Sequence, residues 1–191
     1  MPPKARIKKE DVLLKALKLV QKGGIDALTA KALAKELGCS TQPVFWLYEN
    51  MGEVKEAVFA EASKLFGEAL RKETDGNNPY KAVGVNYINF AAKEPELFKL
   101  LYMSERSDKE NLLTSDASKP FIMEIIARNE TFEEAEAERV FEEMWLFSHG
   151  IATMIVCGTA SFTAKQIEDM LGDVYRGLVL RLGKRVDGKD R

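Results

Sequence analysis

Apolar residues recur along most of the chain at intervals of three and four, the spacing that places them on one face of an α-helix. Leu13, Ala16, Leu17 and Val20 form the first such stripe. No stretch shows the sustained alternation of apolar and polar residues, bounded by hairpin turns, that a half-buried β-strand needs. The pattern therefore predicts an all-α fold.

Glycines and capping residues divide the N-terminal part of the chain into short predicted helices. The first covers about 8–22 and ends at Gly23 and Gly24, which can adopt the positive φ of a C-terminal cap. Thr29 is placed to cap a second helix, which Gly38 closes after barely two turns. We expect a tight turn at Gly38 that leads directly into a third helix.

The third helix is predicted to begin at Ser40, whose side chain caps it, with Pro43 in its first turn. The inward sides of the second and third helices are formed by Leu33, Ala34, Leu37, Val44, Leu47 and Tyr48. Two short helices joined by a tight turn and preceded by a longer helix match the helix-turn-helix arrangement. Such a unit presents its second helix to the major groove of DNA.

The rest of the chain predicts longer helices. Asn50 and Glu53 are spaced as a capping box for a fourth helix. Its inward face is predicted to carry Val54, Val58, Ala62, Leu65 and Ala69. Thr163 and Gln166 form a second capping box. Further helices are predicted at about 80–92, 94–103, 120–129, 132–157 and 163–182, with a polar loop over 104–119.

Charge is distributed unevenly along this chain of 191 residues. The whole chain carries 28 Lys+Arg and 30 Asp+Glu, a net charge of −2. Residues 1–50 hold nine basic and five acidic residues, whereas 51–191 are net acidic. DNA would therefore meet the N-terminal part. The 46% hydrophobic content is enough for a packed core without disulfides, and Cys39 and Cys157 suggest neither a disulfide framework nor a zinc site.

The start of the third helix carries side chains suited to base recognition. Gln42 can pair bidentately with adenine, and Thr41 can bond a base or place its methyl group against thymine. An arm formed by Lys4, Arg6, Lys8 and Lys9 is predicted to reach phosphates or a minor groove. The alternative is that 29–48 is a helical hairpin within a core and that the basic start is a solvated terminus.

The segment LTAKALAKELGCSTQPVFWLYENMGEVKEAVF resembles the DNA-binding segment of the TetR family of bacterial transcriptional regulators, over about residues 8–60. The resemblance implies a three-helix DNA-binding domain over 1–50. It also implies a larger helical domain over 51–191 that binds a ligand and forms a homodimer. We expect no cofactor.

The resemblance also implies roles for individual residues. Thr29, Ser40 and Tyr48 would contact or orient phosphates. Phe45 stands where the family usually has a tyrosine, and Met51 where a lysine is common. Trp46 is either a contact to sugar and base or a wedge that fills the gap beneath the helix. The predicted DNA-binding residues are Lys4, Arg6, Lys8, Thr29, Lys31, Ser40, Thr41, Gln42, Phe45, Trp46, Tyr48 and Lys55, where Lys55 substitutes in part for the lysine missing at Met51.

Two later segments, YINFAAKEPELFKLLYM and MWLFSHGIATMIVCG, resemble the regulatory domain of a TetR subgroup marked by a Trp followed by His-Gly. Phe141, Trp145, His149, Ala152 and Val156 share one helical face. His149, the one histidine of the chain, is therefore predicted to be a hydrogen-bonded core residue, with pocket lining as the alternative. Without a second histidine or a nearby cysteine it is a poor metal ligand.

Aromatic and methionine side chains in the second part predict soft apolar surface, which lines a ligand cavity or is plain core. The predicted ligand-binding residues are Tyr87, Phe90, Phe98, Tyr102, Met103, Phe121, Met123, Met144, Trp145 and His149, and the ligand would be a small apolar molecule. The final helix carries an apolar stripe formed by Ile167, Met170, Leu171, Val174, Leu178 and Leu182. That stripe predicts a homodimer through the last two helices.

Other classes of protein fit the sequence poorly. An enzyme is disfavoured because the chain has no nucleophile elbow, no phosphate-binding glycine loop and no paired histidines. The uncharged stretch 144–164 is too polar for a membrane span, and the N-terminus lacks the apolar core of a secretory signal, so we expect a cytoplasmic protein.

The sequence thus predicts a ligand-responsive repressor that binds operator DNA as a dimer. The alternative is a helical interaction or ligand-binding protein that has lost DNA binding.

Overall fold

A computed structural model of the chain describes residues 7–72, 74, 79–104, 117–129 and 132–182. Within these ranges the structure contains nine α-helices and no β-strand, which confirms the predicted all-α fold. Lys4 and Arg6 of the predicted arm, and most of the predicted loop 104–119, lie outside the described residues. No helix among the described residues is long and apolar enough to cross a membrane.

The N-terminal helices follow the predicted order. Helix α1 is Lys9–Gly23, and a short 3-10 turn, Ile25–Ala27, leads to helix α2, Ala30–Leu37. Helix α3 is a single turn, Gln42–Phe45, and helix α4 is Met51–Leu70. The predicted first helix is thus confirmed to within one residue at each end.

Five further helices complete the described chain. They are α5 (Pro79–Lys93), α6 (Pro95–Tyr102), α7 (Lys119–Asn129), α8 (Glu134–Val156) and α9 (Ala164–Leu182). Each begins and ends within two residues of its prediction. The second capping box is also confirmed, because the Gln166 backbone N–H donates to Thr163 Oγ1 (3.2 Å) and the Thr163 N–H donates to Gln166 Oε1 (2.8 Å).

The chain divides into two compact units. The first unit runs to Phe66 and also takes in the segment that begins at Glu94, which contains α6. The second unit contains Gly67–Lys93 and helices α7 to α9. Helix α6 joins the first unit because it packs against α1, where the Gln21 side-chain amide donates to Glu94 Oε2 (3.0 Å).

The core of the first unit is built from side chains spaced four apart. The buried positions of α4 are Val54, Val58, Ala62, Phe66 and Leu70, of which all but Leu70 belong to the first unit. The sequence prediction placed Leu65 and Ala69 on this face, but both are only half-buried, and the next residues, Phe66 and Leu70, are buried instead. Residues four apart lie on the same face of a helix, so the buried positions continue from Ala62 to Phe66 rather than to Leu65.

The core of the second unit is centred on α5, which packs chiefly against α8 and also against α7 and α9. Ile88, Ile126, Phe141 and Leu171 supply fully buried side chains from these four helices. The close packing of α5 on α9 depends on Gly84, because a Cβ at this position would lie 3.1 Å from both methyl groups of Leu171.

Candidate nucleic-acid interface and ligand cavity

The turn between α2 and α3 has the predicted local chemistry. The Ala32 backbone N–H donates to Thr29 Oγ1 (3.2 Å), so Thr29 caps α2 as predicted. Gly38 has φ 66° and ψ 32°, the left-handed conformation that ends the helix, and the Cys39 N–H donates to the Ala34 carbonyl (3.0 Å). The turn favours glycine at this position because a residue with a Cβ is strained at positive φ.

The start of α3 differs from the prediction. Ser40 does not cap it; the helix begins at Gln42, and the preceding Thr41 has helical backbone angles and makes no side-chain capping bond. The turn is held by the backbone instead, since the Val44 N–H donates to the Thr41 carbonyl (3.1 Å). Pro43 falls in the first turn, as predicted. The helix also ends at Phe45, before Leu47 and Tyr48, which were predicted on its inward side. It is therefore a single turn without a side-chain cap.

The apolar side of the helix-turn-helix unit faces inward. Leu33, Ala34, Val44 and Tyr48 are buried, with Leu33 and Val44 fully so. Leu37 and Leu47, also predicted to face inward, are half-buried. Burial of these side chains holds α3 in the core of the first unit through Val44 and leaves its other side exposed.

Tyr48 is a core residue whose ring is covered by the Lys9 ammonium group. It is 2% exposed, so it offers a phosphate little surface, although the resemblance implied a phosphate contact. The Lys9 ammonium lies 4.4 Å from the centre of its ring and forms an ion pair with Glu53 Oε1 (3.1 Å). Burial is the main reason why the pKa of Tyr48 is raised.

Glu53 joins three segments of the first unit. Its Oε2 accepts a hydrogen bond from the Glu49 backbone N–H (2.7 Å), and this bond, followed by the bond from Lys9, lowers the pKa of its carboxyl group. The Glu53 N–H donates to Asn50 Oδ1 (3.1 Å). The predicted capping box is therefore half formed, because the returning bond goes to Glu49 rather than Asn50.

The outward side of α3 is open. Thr41 and Gln42 are exposed, as is Ser40 just before the helix. Phe45 is 41% exposed and Trp46 is 73% exposed, so Trp46 is not a wedge beneath the helix and its ring is available for contact. The predicted phosphate-contacting residues Lys8, Thr29, Lys31 and Lys55 are exposed as well.

The second unit contains a small, partly open cavity of about 30 Å³ between α5, α7 and α8. Its walls are apolar and aromatic. Three predicted ligand-binding residues, Tyr87, Met144 and Trp145, line it. The sequence prediction missed the six other lining residues: Tyr80, Val83, Gly84, Ile122, Phe141 and Ser148.

A periodic signal for the missed residues is present in the sequence. The α5 residues occupy positions i, i+3, i+4 and i+7 from Tyr80, and the α8 residues occupy the same positions from Phe141. Two facing stripes of this spacing predict a helix–helix contact. The small members, Gly84 and Ser148, leave space within it, whereas the prediction selected large side chains.

The remaining predicted ligand residues lie elsewhere. Phe98, Tyr102 and Met103 belong to the first unit, where the rings of Phe98 and Tyr102 are 5.1 Å apart, so they do not line this cavity. Phe121 lies beneath the Arg71 guanidinium, at 4.5 Å. Phe90 and Met123, in the second unit, are not among its lining residues either.

His149 lies beside the cavity rather than in its wall. Its Nδ1 and the Tyr87 hydroxyl share a hydrogen bond of 2.9 Å, and its ring is stacked on that of Trp145 with centres 4.7 Å apart. The prediction of a hydrogen-bonded histidine is confirmed, although its side chain is only half-buried. Among the described residues no group of three or more His, Cys, Asp or Glu side chains is arranged to hold a metal ion.

Helices α8 and α9 also present apolar surface to solvent. Leu146 and Met154 of α8 are 54% and 44% exposed, and Leu180 of α9 is 83% exposed. Gly150 lies between the two α8 residues on the same face, and no atom lies within 4 Å of where its Cβ would be. The apolar stripe predicted for a partner is partly used within the unit, because Ile167, Leu171 and Leu178 are buried there.

Comparison with solved structures identifies the fold. A TetR-like transcriptional regulator from Rhodococcus sp. RHA1 superposes with a TM-score of 0.63 at 14% identity, over 94% of this chain and 99% of that chain. A TetR variant from Acinetobacter baumannii AYE, solved in complex with minocycline, gives a TM-score of 0.56 at 14% identity, over 92% and 96% of the two chains. No protein-family model and no curated protein matches the chain. The chain therefore has the fold of the TetR-like transcriptional regulators.

Proposed function

We propose that this protein is a ligand-responsive transcriptional repressor, not an enzyme, that binds operator DNA as a homodimer. One observation carries the proposal: Val44 of α3 is fully buried while Thr41, Gln42 and Trp46 on the same turn stay exposed. A short helix held in this way can enter a major groove. The shared fold supports the same function.

The exposed residues divide into two groups by chemistry. Gln42 and Thr41 contact base edges, where the amide of Gln42 selects adenine. Lys8, Thr29, Lys31 and Lys55 contact phosphates, which position the helix without reading sequence. Trp46 contacts sugar and base. Phe45 lacks the hydroxyl that the family's tyrosine offers a phosphate.

The dimer forms through α8 and α9. The face formed by Leu146, Gly150 and Met154 is apolar and has a small residue at its centre, so a second copy of the helix can approach closely. Leu180 extends this apolar surface on α9. To enter successive major grooves, the two α3 helices of such a dimer must lie about 34–36 Å apart.

Ligand binding in the second unit then releases the DNA. The minocycline complex belongs to another protein, but it supports the presence of a ligand site in this fold. A ligand that reverses binding almost fully must prefer the released form by about 5.5 kcal/mol.

A selection from random-sequence duplexes followed by gel-shift titration tests the proposal. We expect dimeric protein to shift the selected duplex with an affinity that falls steeply as salt rises, because phosphate contacts release counterions. Gln42→Ala should weaken binding by about 1–3 kcal/mol only for duplexes with adenine at the contacted pair, whereas Lys8→Ala should weaken binding to all sequences. Equal losses on all sequences for both variants would contradict the assigned roles.

An intact dimer without any salt-sensitive duplex binding would instead favour a ligand-binding or interaction protein. Two departures from the family pattern, Phe45 and Met51, favour this second candidate. Restoring the usual residues with Phe45→Tyr and Met51→Lys separates the two cases. A gain of DNA binding in the double variant alone would show that the DNA-binding domain of the unmodified chain has lost its phosphate contacts.

A further inference from the structure

The cavity of the second unit has walls that specify the charge of its occupant. None of the nine residues that line it is charged. Burial raises the pKa of Tyr80, so its phenol stays neutral. The hydroxyl group of Tyr87 is already bonded to His149. An ionised guest would lose part of its hydration in this partly open space without gaining a counter-charge from the nine lining residues, which is unfavourable.

The same walls specify the shape of the occupant. Four of the lining residues are aromatic, and the rings of Tyr87 and Trp145 meet edge to face, with centres 6.3 Å apart and planes at 71°. Ring edges and faces arranged around one space favour a flat aromatic guest. Ser148, which is 5% exposed, adds one hydroxyl group that can donate or accept a hydrogen bond.

We infer that the effector is a neutral, flat aromatic molecule that carries a hydroxyl or carbonyl group for Ser148. This inference rests on the proposed function, because it names the ligand class of the proposed regulator. It excludes carboxylates, phosphates and ammonium compounds as the primary ligand.

The size of the cavity shows what binding must do to the helices. At about 30 Å³ it has room for about one water molecule. Sites for small organic ligands are about 300–1,000 Å³, so the ligand must move α5 away from α8. Gly84 of α5 is tightly packed on Leu171 of α9, so this movement also repacks α9. Of the three helices that pack on α5, two, α8 and α9, form the proposed dimer interface.

Three probes with the same ring system and different charge test the inference. They are 2-naphthol, which is neutral, 2-naphthoate, which is anionic, and 2-naphthylmethylammonium, which is cationic. The full-length chain with Trp46→Phe retains one of its two tryptophans, Trp145, so its fluorescence reports on the cavity. We expect saturable quenching by 2-naphthol with at least about tenfold higher affinity than either ion, confirmed by calorimetry.

Matched serine variants locate the probe. Ser148→Leu fills the cavity and should abolish 2-naphthol binding. Ser161→Leu makes the same change in an open groove of about 610 Å³ beside the α8–α9 turn and should leave binding unchanged. Ser148→Val, a smaller addition, replaces Ser148→Leu if circular dichroism shows that the leucine variant does not fold, and should reduce the affinity in the same direction.

Three results would overturn the inference: no saturable binding of 2-naphthol, equal affinity for an ion, or loss of binding in Ser161→Leu rather than Ser148→Leu. The outcome is separate from the proposed function, because DNA binding is measured on the unmodified chain by gel shift. DNA binding without 2-naphthol binding would refute only the ligand class. Binding of 2-naphthol by a chain that never binds DNA would refute only the repressor.

Discussion

The two tryptophans of the chain show how differently the two units build their candidate sites. Trp46 is 73% exposed on a one-turn helix, whereas Trp145 is 7% exposed in the wall of a cavity. The first site is a surface that a short continuous segment, 29–48, forms almost alone. The second is a partly open space between three helices, of which α5 is distant in sequence from α7 and α8. The local site depends on caps and a glycine turn, and the cavity depends on how α5 meets the other two helices.

A pair of identical substitutions gives the largest expected contrast between the units. Phe141, in the cavity wall, is 1% exposed, and Phe45, on α3, is 41% exposed. Phe141→Ala should lower the free energy of unfolding by about 3–5 kcal/mol, because it removes a buried ring and leaves a void. Phe45→Ala should change it by no more than about 0.5 kcal/mol, as expected for a surface position. Urea denaturation followed by circular dichroism measures both.

The same two variants should affect DNA binding in the opposite order. Under the proposed function the exposed ring of Phe45 lies on the DNA-binding side of α3, so Phe45→Ala weakens duplex binding although its stability is normal. Phe141→Ala retains duplex binding at temperatures where it remains folded. A destabilisation by Phe45→Ala as large as that of Phe141→Ala would mean that α3 is packed within the fold, and the proposed DNA surface would then be wrong.

Sequence reasoning succeeded in the first unit wherever a feature depends on neighbouring residues. The cap at Thr29 and the left-handed turn at Gly38 follow from their own side chains and from the residues next to them. Periodicity also placed Tyr48 on the inward side with Val44, where both are buried. The phosphate role of Tyr48 came from resemblance alone, and its burial favours the periodic pattern over the transferred role.

Long-range features could not be predicted in this way. The ion pair between Lys9 and Glu53 joins residues 44 positions apart. The cavity required the register of α5 against α8, and small residues at Gly84 and Ser148 define it as much as aromatic ones do. Aromatic content alone cannot separate cavity wall from core, which is why Phe98 and Tyr102 were included although they lie in the first unit.

Helix caps give a contrast of intermediate size, and both units contain one. Thr29 caps α2 in the first unit, and Thr163 caps α9 in the second. Thr29→Ala and Thr163→Ala should each lower the free energy of unfolding by about 1 kcal/mol. Ser40→Ala should cost no more than about 0.5 kcal/mol, because Ser40 makes no cap in the structure. A loss at Ser40 equal to that at Thr29 would restore the predicted start of α3.

The smallest expected effect is a response to acid that distinguishes two exposed carboxylates, one in each unit. The pKa of Glu53 is lowered mainly by the Glu49 backbone N–H, and the pKa of Glu143 is lowered mainly by Arg139. A lowered pKa in the folded state stabilises the fold at pH values above the ordinary carboxyl pKa, and this contribution disappears as the pH falls through the folded value. Glu53→Gln and Glu143→Gln should therefore both flatten the acid side of the stability profile.

Salt should then separate the two carboxylates. Glu143 accepts hydrogen bonds from Arg139 and Arg181, both at 2.8 Å, so its stabilisation comes from ion pairs at the surface. At 1 M NaCl the screening length is about 3 Å. The difference in the free energy of unfolding between Glu143→Gln and the unmodified chain should therefore shrink. The corresponding difference in the free energy of unfolding between Glu53→Gln and the unmodified chain should persist more strongly, because the largest contribution at Glu53 is a hydrogen bond to the backbone. Equal loss of both differences in salt would mean that Lys9, not the Glu49 N–H, dominates at Glu53, and the link between α1 and α4 would then be mainly ionic.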